Sequence, residues 1–183
     1  MQKVLVTGGA GFIGSCLVKK LIETGGYDVD VVDNLSTGSL EALADIDFRC
    51  VASGLLPVYE RNSESVDSNT VLVITGDFVD PNVLARISNT CYDIVFHLAA
   101  NPRVGYSVDH PTITTEENIY KTVALFEACQ KSDVRRVVYS SSSAVYGDVS
   151  ELPTSESAKS NVKSPYGLQK RVCEDFAKLF FTL

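Results

Sequence analysis

The chain has no Cys-x-x-Cys pair, no run of basic residues, no internal repeat, no apolar stretch long enough to span a membrane, and only two histidines. Each absence removes a class of function. The five cysteines, Cys16, Cys50, Cys91, Cys129 and Cys173, are odd in number and widely separated, which fits reduced structural thiols. His97 and His110 show no metal-ligand spacing with those cysteines, so no metal is expected, and His97 reads as a structural residue. The formal net charge is −7. With no basic stripe to neutralise phosphates, neither nucleic acid nor a membrane surface is an expected partner. The apolar opening run is cut at once by Thr7, Gly8 and Gly9, so no secretory segment is read there and the cytoplasm is the expected location.

What is present suits one globular domain over 1–183, with 45% hydrophobic and 21% charged residues. Short β-branched apolar runs at 3–7, 29–32, 94–97 and 134–140 predict strands, the last two read as buried on both faces of a parallel sheet. Between them the spacing predicts helices over 12–23 and 115–131, the latter with Ile119, Val123 and Phe126 as its apolar stripe. Ser164 as N-cap and Pro165 at the first helical position open a final helix through Phe180. Alternating strand and helix predicts an α/β, doubly wound, Rossmann-like parallel sheet. Between Asp33 and Gly76 one further strand is expected. Residues 46–51 and 70–75 both qualify, and 70–75 is preferred because Gly76-Asp77 follows it, which makes 53–68 an irregular surface insertion.

The first strand runs into Thr7-Gly8-Gly9-Ala10-Gly11-Phe12-Ile13-Gly14 and then a helix. In that context Gly8, Gly11 and Gly14 let backbone approach a pyrophosphate, and the helix start supplies amide donors. Asp33, 19 residues beyond Gly14 at the end of the next strand, suits ribose hydroxyls and disfavours a 2′-phosphate. Asn34 follows it where an arginine would favour NADP, so the expected cofactor is NAD. Near the other end, Tyr166 and Lys170 stand four apart and so share a helical face. An ammonium favours the phenolate, which makes a tyrosine a better base near neutral pH.

Taken in order, the glycine motif, Asp33-Asn34-Leu35-Ser36-Thr37-Gly38, Gly76-Asp77-Phe78, His97-Leu98-Ala99-Ala100, Asn118, Ser140-Ser141-Ser142-Ser143-Ala144-Val145-Tyr146-Gly147 and Tyr166-Gly167-Leu168-Gln169-Lys170 cover nearly the whole chain. The sequence thereby resembles the extended short-chain dehydrogenase/reductase family, and within it the NAD-dependent nucleotide-sugar epimerases of the UDP-glucose 4-epimerase type. The resemblance implies that Tyr166 is the general base. Lys170 would hold the nicotinamide ribose and lower the tyrosine's pKa, and Ser142, five residues before Gly147, would bond the sugar hydroxyl being oxidised. It implies NAD contacts from Gly8, Gly11, Phe12, Ile13, Gly14, Asp33, Asn34, Ser36, Thr37, Gly38, Asp77, Phe78, Leu98, Ala99, Ala100, Asn118, Ser140, Tyr166 and Lys170. The partner implied is a nucleotide-sugar substrate, and a homodimer is compatible with it. The reaction implied is epimerisation at C4 through a transient 4-keto sugar, with hydride leaving to NAD and returning to the other face. Related 4,6-dehydratases place Asp and Glu directly after the active hydroxyl, to eliminate water. Ser143 and Ala144 stand there instead, which favours epimerisation. The family's chains continue past the tyrosine helix with further strands and a substrate domain, so the resemblance also implies an incomplete fold. A non-catalytic NAD-binding remnant, or a subunit needing a missing C-terminal half, is the alternative.

Overall fold

The computed structural model describes residues 1–56, 70–89, 92–149 and 151–182. These fall into two compact units, Met1–Ala99 with Glu127–Tyr139, and Ala100–Phe126 with Ser140–Leu183.

The first unit holds a six-stranded parallel sheet: β1 (Gln2–Thr7), β2 (Tyr27–Asp33), β3 (Phe48–Ala52), β4 (Val71–Thr75), β5 (Ile94–His97) and β6 (Arg136–Tyr139), in the order β3-β4-β2-β1-β5-β6. Helix α1 (Phe12–Thr24) connects β1 to β2 and helix α2 (Pro81–Ser88) precedes β5. This is the doubly wound, Rossmann-like architecture, with its strand order reversing beside β1. The central strands are almost continuously apolar because both of their faces are covered, and Val4, Leu5, Val6, Val31, Val73, Ile74 and Val95 are all fully buried.

One ionic cluster lies inside this unit. Arg86 on α2 donates from its Nη2 to Asp30 Oδ2 (2.8 Å) and from its Nε to the Tyr92 hydroxyl (2.8 Å), and that hydroxyl donates to the same Asp30 oxygen (2.8 Å). All three side chains are buried. Burial opposes the arginine's charge, but Tyr92 and Asp30 outweigh it and raise its pKa, while burial first and Asp30 second push the Tyr92 phenol well above its ordinary value.

Several expectations need correction. Between Asp33 and Gly76 two strands form, not one. β3 pairs with β4 from Phe48 opposite Val71 to Ala52 opposite Thr75. An edge strand needs cover on less of its surface, so half-buried Phe48 and Val51 with exposed Arg49 and Cys50 suffice. The start of the expected insertion is not surface either. Ser53 is buried, its hydroxyl donates to Asp80 Oδ2 (3.0 Å), and its carbonyl accepts from Asn82 Nδ2 (3.1 Å). Residues 57–68 of that insertion lie outside the described ones. The apolar run forming β6 is of the kind buried on both faces, but the incomplete fold implied by the resemblance leaves it at the sheet edge, and there its Arg136 and Val138 are exposed.

The second unit is helical: α3 (Val104–Asp109), α4 (Pro111–Thr115), a wide π turn (Glu116–Tyr120), the start of α5 (Lys121–Gln130), and α6 (Pro165–Thr182). The helix expected over 115–131 is therefore interrupted. A π turn inserts a residue into the helical phase, so the buried positions are Asn118, Thr122, Leu125, Phe126, Ala128 and Cys129, while Ile119 and Val123 are only half-buried. α6 starts where the sequence places it, and the Ser164 hydroxyl accepts from the Gly167 amide (3.1 Å) as an N-cap does. No helix among the described residues is long and apolar enough to cross a membrane. Among them no group of three or more His, Cys, Asp or Glu is arranged to hold a metal ion.

Candidate functional site

In the first unit the chain turns from β1 into α1 through Gly8 to Gly11. Gly8 has φ of +71°, and a Cβ there would stand 2.8 Å from the Ala99 backbone nitrogen. Its amide donates to the Val32 carbonyl (2.8 Å), and its own carbonyl accepts from the Gly11 amide (3.1 Å). A side chain at Gly14 would collide with that Gly8 carbonyl, so the first turn of α1 lies directly on the loop. No side chain caps α1 and no acidic residue sits in its first turn. The amides of Phe12, Ile13 and Gly14 have no intrahelical acceptor, and the positive end of the helix is left for an anion. The Phe12 and Ile13 side chains themselves are exposed.

Asp33, at the C-terminal end of β2, is buried and accepts from the Ala10 amide (3.0 Å) through one oxygen and from the Leu35 amide (2.8 Å) through the other. Its carboxylate is thereby fixed in orientation while each oxygen keeps accepting capacity. Leu35 is a non-glycine residue at φ +56°, a conformation the two anchored neighbours hold in place. Asn34 Oδ1 accepts from the Ser36 amide (3.1 Å), and Gly38 lies so close to Ala10 that a Cβ would be 2.8 Å from its carbonyl. The loop containing Ser36, Thr37 and Gly38 is thus laid against the glycine turn. At the end of β5, the Leu98 amide donates to the Thr7 carbonyl (3.1 Å) and the Ala99 amide to the Thr7 hydroxyl (3.2 Å), which also bonds His97 Nδ1 (2.7 Å). His97 is fully buried, with Phe78 edge-on to its ring (5.0 Å between centroids) and Tyr139 tilted against it (5.8 Å). Asp77 Oδ1 accepts from the Val79 amide (3.2 Å).

Ser142, Tyr166 and Lys170 all belong to the second unit. Tyr166 and Lys170 lie on the buried face of α6. The Tyr166 amide donates to the Ser107 hydroxyl (3.0 Å). Lys170 Nζ donates to the Ser140 carbonyl (2.8 Å), and burial lowers its pKa to about 8, against a smaller opposing pull from Cys173. Roughly a tenth of it is therefore neutral at pH 7. The Ser142 hydroxyl accepts from the Ala144 amide (3.2 Å) and opens the short turn Ser143–Val145. That turn rests on α6 because residue 167 is glycine, where a Cβ would be 2.6 Å from the Ala144 carbonyl. Ser141 bonds Glu174 on α6, and Gly147, at φ +62°, has no room for a side chain against the Asn161 carbonyl.

Ala100 opens this unit, followed by Asn101, and here the sequence reading missed a network. Asn118 on the π turn accepts from the Asn101 amide (2.8 Å) and donates to the Asn101 carbonyl (3.1 Å) and to Gln169 Oε1 (2.8 Å). Gln169 Nε2 donates to the hydroxyls of Thr114 (2.9 Å) and Thr115 (3.2 Å), and the Cys173 thiol donates to the Asn118 carbonyl (3.2 Å). One signal was legible: Gln169 and Cys173 share the helical face of Tyr166 and Lys170, and a polar residue on a buried face needs partners.

Several known proteins are similar over this whole region. The bifunctional UDP-glucose 4-epimerase and UDP-xylose 4-epimerase 1 of Pisum sativum is 33% identical over 181 residues, covering 97% of this chain and 47% of that protein. The solved structure of a UDP-N-acetylglucosamine 4-epimerase from Methanobrevibacter ruminantium M1, in complex with UDP-N-acetylmuramic acid, superposes with a TM-score of 0.78 at 35% identity over 98% of this chain and 50% of that one. The UDP-glucose 4-epimerase of Brucella ovis, solved in complex with NAD, gives 0.76 at 33% identity over 98% and 48%. The chain spans about half the length of the relatives it matches. A model of the NAD dependent epimerase/dehydratase family matches residues 4–180, so the chain belongs to that family.

Proposed function

We propose that this chain carries the cofactor-binding and proton-transfer residues of an NAD-dependent epimerase acting at C4 of a nucleoside-diphosphate sugar, of the UDP-glucose/UDP-galactose type. The observation that carries the reading is the glycine turn of the first unit, where Gly8, Gly14 and Gly38 each sit where a side chain would collide with backbone. Such close backbone approach suits a pyrophosphate at the bare start of α1. The residues of the turn fit NAD: Gly8, Gly11, Phe12, Ile13 and Gly14 at the pyrophosphate, and Asp33, Asn34, Ser36, Thr37 and Gly38 at the adenosine ribose. Asp77, Phe78, Leu98, Ala99, Ala100 and Ser140 complete the set assigned to the cofactor. The NAD complex of the Brucella ovis relative supports this choice.

Bound NAD supplies a reversible hydride acceptor. Among the chain's own residues, Tyr166 takes the proton of the sugar 4-hydroxyl as general base, and Ser142 bonds that oxygen. Lys170, largely protonated at neutral pH, binds the nicotinamide ribose. Asn118, whose carboxamide donors are both spent inside the second unit, supports the site by positioning. The whole of 1–183 is proposed as one NAD-binding Rossmann-like domain, with a homodimer as its assembly. The test is incubation with UDP-galactose and NAD, following UDP-glucose by proton NMR, for the wild type and Tyr166→Phe. Turnover abolished in the variant with NAD still bound supports the assignment. Near-normal turnover in the variant would remove Tyr166 from its role.

A further inference from the structure

We infer that Gln169 is a positioning residue that fixes the rotation of α6, and with it the placement of Tyr166 and Lys170, by clamping the helix to α4 and to the π turn that follows it. The inference rests on the proposed function for its catalytic meaning, but its geometry stands apart from it.

Gln169 is 2% exposed. Its carboxamide is satisfied on both ends: both N–H bonds are given to Thr114 and Thr115, and the oxygen accepts from Asn118. Asn118 is in turn held on the Asn101 backbone by two bonds, and Asn101 Nδ2 donates to Glu117 Oε2 (2.8 Å). A helix packed only through apolar side chains can rotate or slide by small amounts at little cost. Three directional bonds from one side chain remove that freedom, because each has a narrow angular optimum. The clamp sits on the turn of α6 that carries the proposed chemistry, one residue before Lys170 and three after Tyr166. The π turn makes the clamp possible. Its extra residue brings Asn118 onto the α6 side, where the Asn118 side chain meets Gln169 and the Asn118 carbonyl accepts from Cys173. Thr114 is fully buried on α4, and its hydroxyl also donates to the carbonyl of His110 (3.2 Å), the residue just before that helix.

Packing alone would be indifferent to the loss of one hydroxyl of unchanged shape, whereas a clamp would not. The position of Lys170 gives a readout that needs neither cofactor nor substrate. Its amine is held dry against the Ser140 carbonyl, and burial lowers its pKa to about 8, so any rotation that lets water in returns it toward the ordinary lysine value. The pH dependence of Lys170 acylation by a water-soluble reagent, read by peptide mass spectrometry on the intact chain, reports this directly. Gln169→Met, which keeps length but no polar atom, is expected to raise the midpoint by about one unit or more. Thr114→Val, milder and nearly isosteric, is expected to raise it by a smaller amount and keeps the test alive if the first variant does not fold. Thr114→Ser, which retains the hydroxyl, is expected to leave it unmoved. Midpoints equal to wild type in folded Gln169→Met or Thr114→Val protein, or an equal shift in Thr114→Ser, would each overturn the inference. Calorimetric NAD binding to the wild type, measured beside it, tests the proposed function separately, so that either can fail while the other stands.

Discussion

Replacing Lys170 by methionine should stabilise the protein at neutral pH, and the gain should shrink as the pH rises. The lysine is 3% exposed, and burial lowers its pKa from 10.5 to about 8 in the native state. A base whose folded pKa lies below its unfolded one costs stability wherever the native ammonium is charged and buried. That cost is complete below about pH 8 and is lost as pH climbs from there toward 10.5, because the native state releases its proton before the unfolded chain does. From these two values the cost is about 3 kcal/mol at pH 7, about 2 at pH 9 and well under 1 at pH 10.5. Methionine keeps the apolar stem but leaves the Ser140 carbonyl without this donor, which returns about 1–2 kcal/mol. The expected net gain at pH 7 is therefore about 1–2 kcal/mol, falling by about 1 kcal/mol at pH 9. Urea unfolding of wild type and Lys170→Met at the two pH values measures the difference, and comparing the two proteins cancels the other groups that titrate in alkali. A difference that is the same at both pH values would refute the reasoning, since Lys170 would then titrate like a surface lysine.

Asp30→Ala should cost about 3–5 kcal/mol by leaving the Arg86 charge buried without its carboxylate, read as a lower denaturation midpoint at unchanged m. Gly167→Ala should push the Ser143–Val145 turn off α6, because the new methyl would meet the Ala144 carbonyl. It should lower turnover while leaving NAD affinity within about twofold, as calorimetry would show. Wild type should bind NAD more tightly than NADP, and Asp33→Ala should narrow that gap; equal affinities in the wild type would remove Asp33 from its assigned role.

The central part of the sheet was legible because its signals are local. The β-branched run before Thr7, the glycines that follow it, and Ser164-Pro165 at the start of α6 each state their geometry within a few residues. β3 was less legible because an edge strand needs only partial cover, so 46–51 carries a weaker apolar signature than 70–75. The interruption of the helix at 116–120 was hidden for a different reason: a π turn changes phase without a breaker residue, and the sequence there, Glu116-Glu117-Asn118-Ile119-Tyr120, would suit an ordinary helix. The ordered motifs marked the candidate site residues. The network that ties Asn118 to Gln169 was not legible, because it joins residues 51 apart and depends on that phase change. Nor did the sequence reveal that Gly167 is small so that the Ala144 carbonyl can approach α6.

In the proposed reaction hydride leaves the sugar C4 and returns to the same carbon through bound NAD. Incubating the protein, at a concentration comparable to substrate, with UDP-galactose and NAD in deuterium oxide and following the sugar by NMR tests this directly. The expected product is UDP-glucose that keeps its original hydrogen at C4. Deuterium at C4, or no UDP-glucose from protein shown to hold NAD, would contradict it.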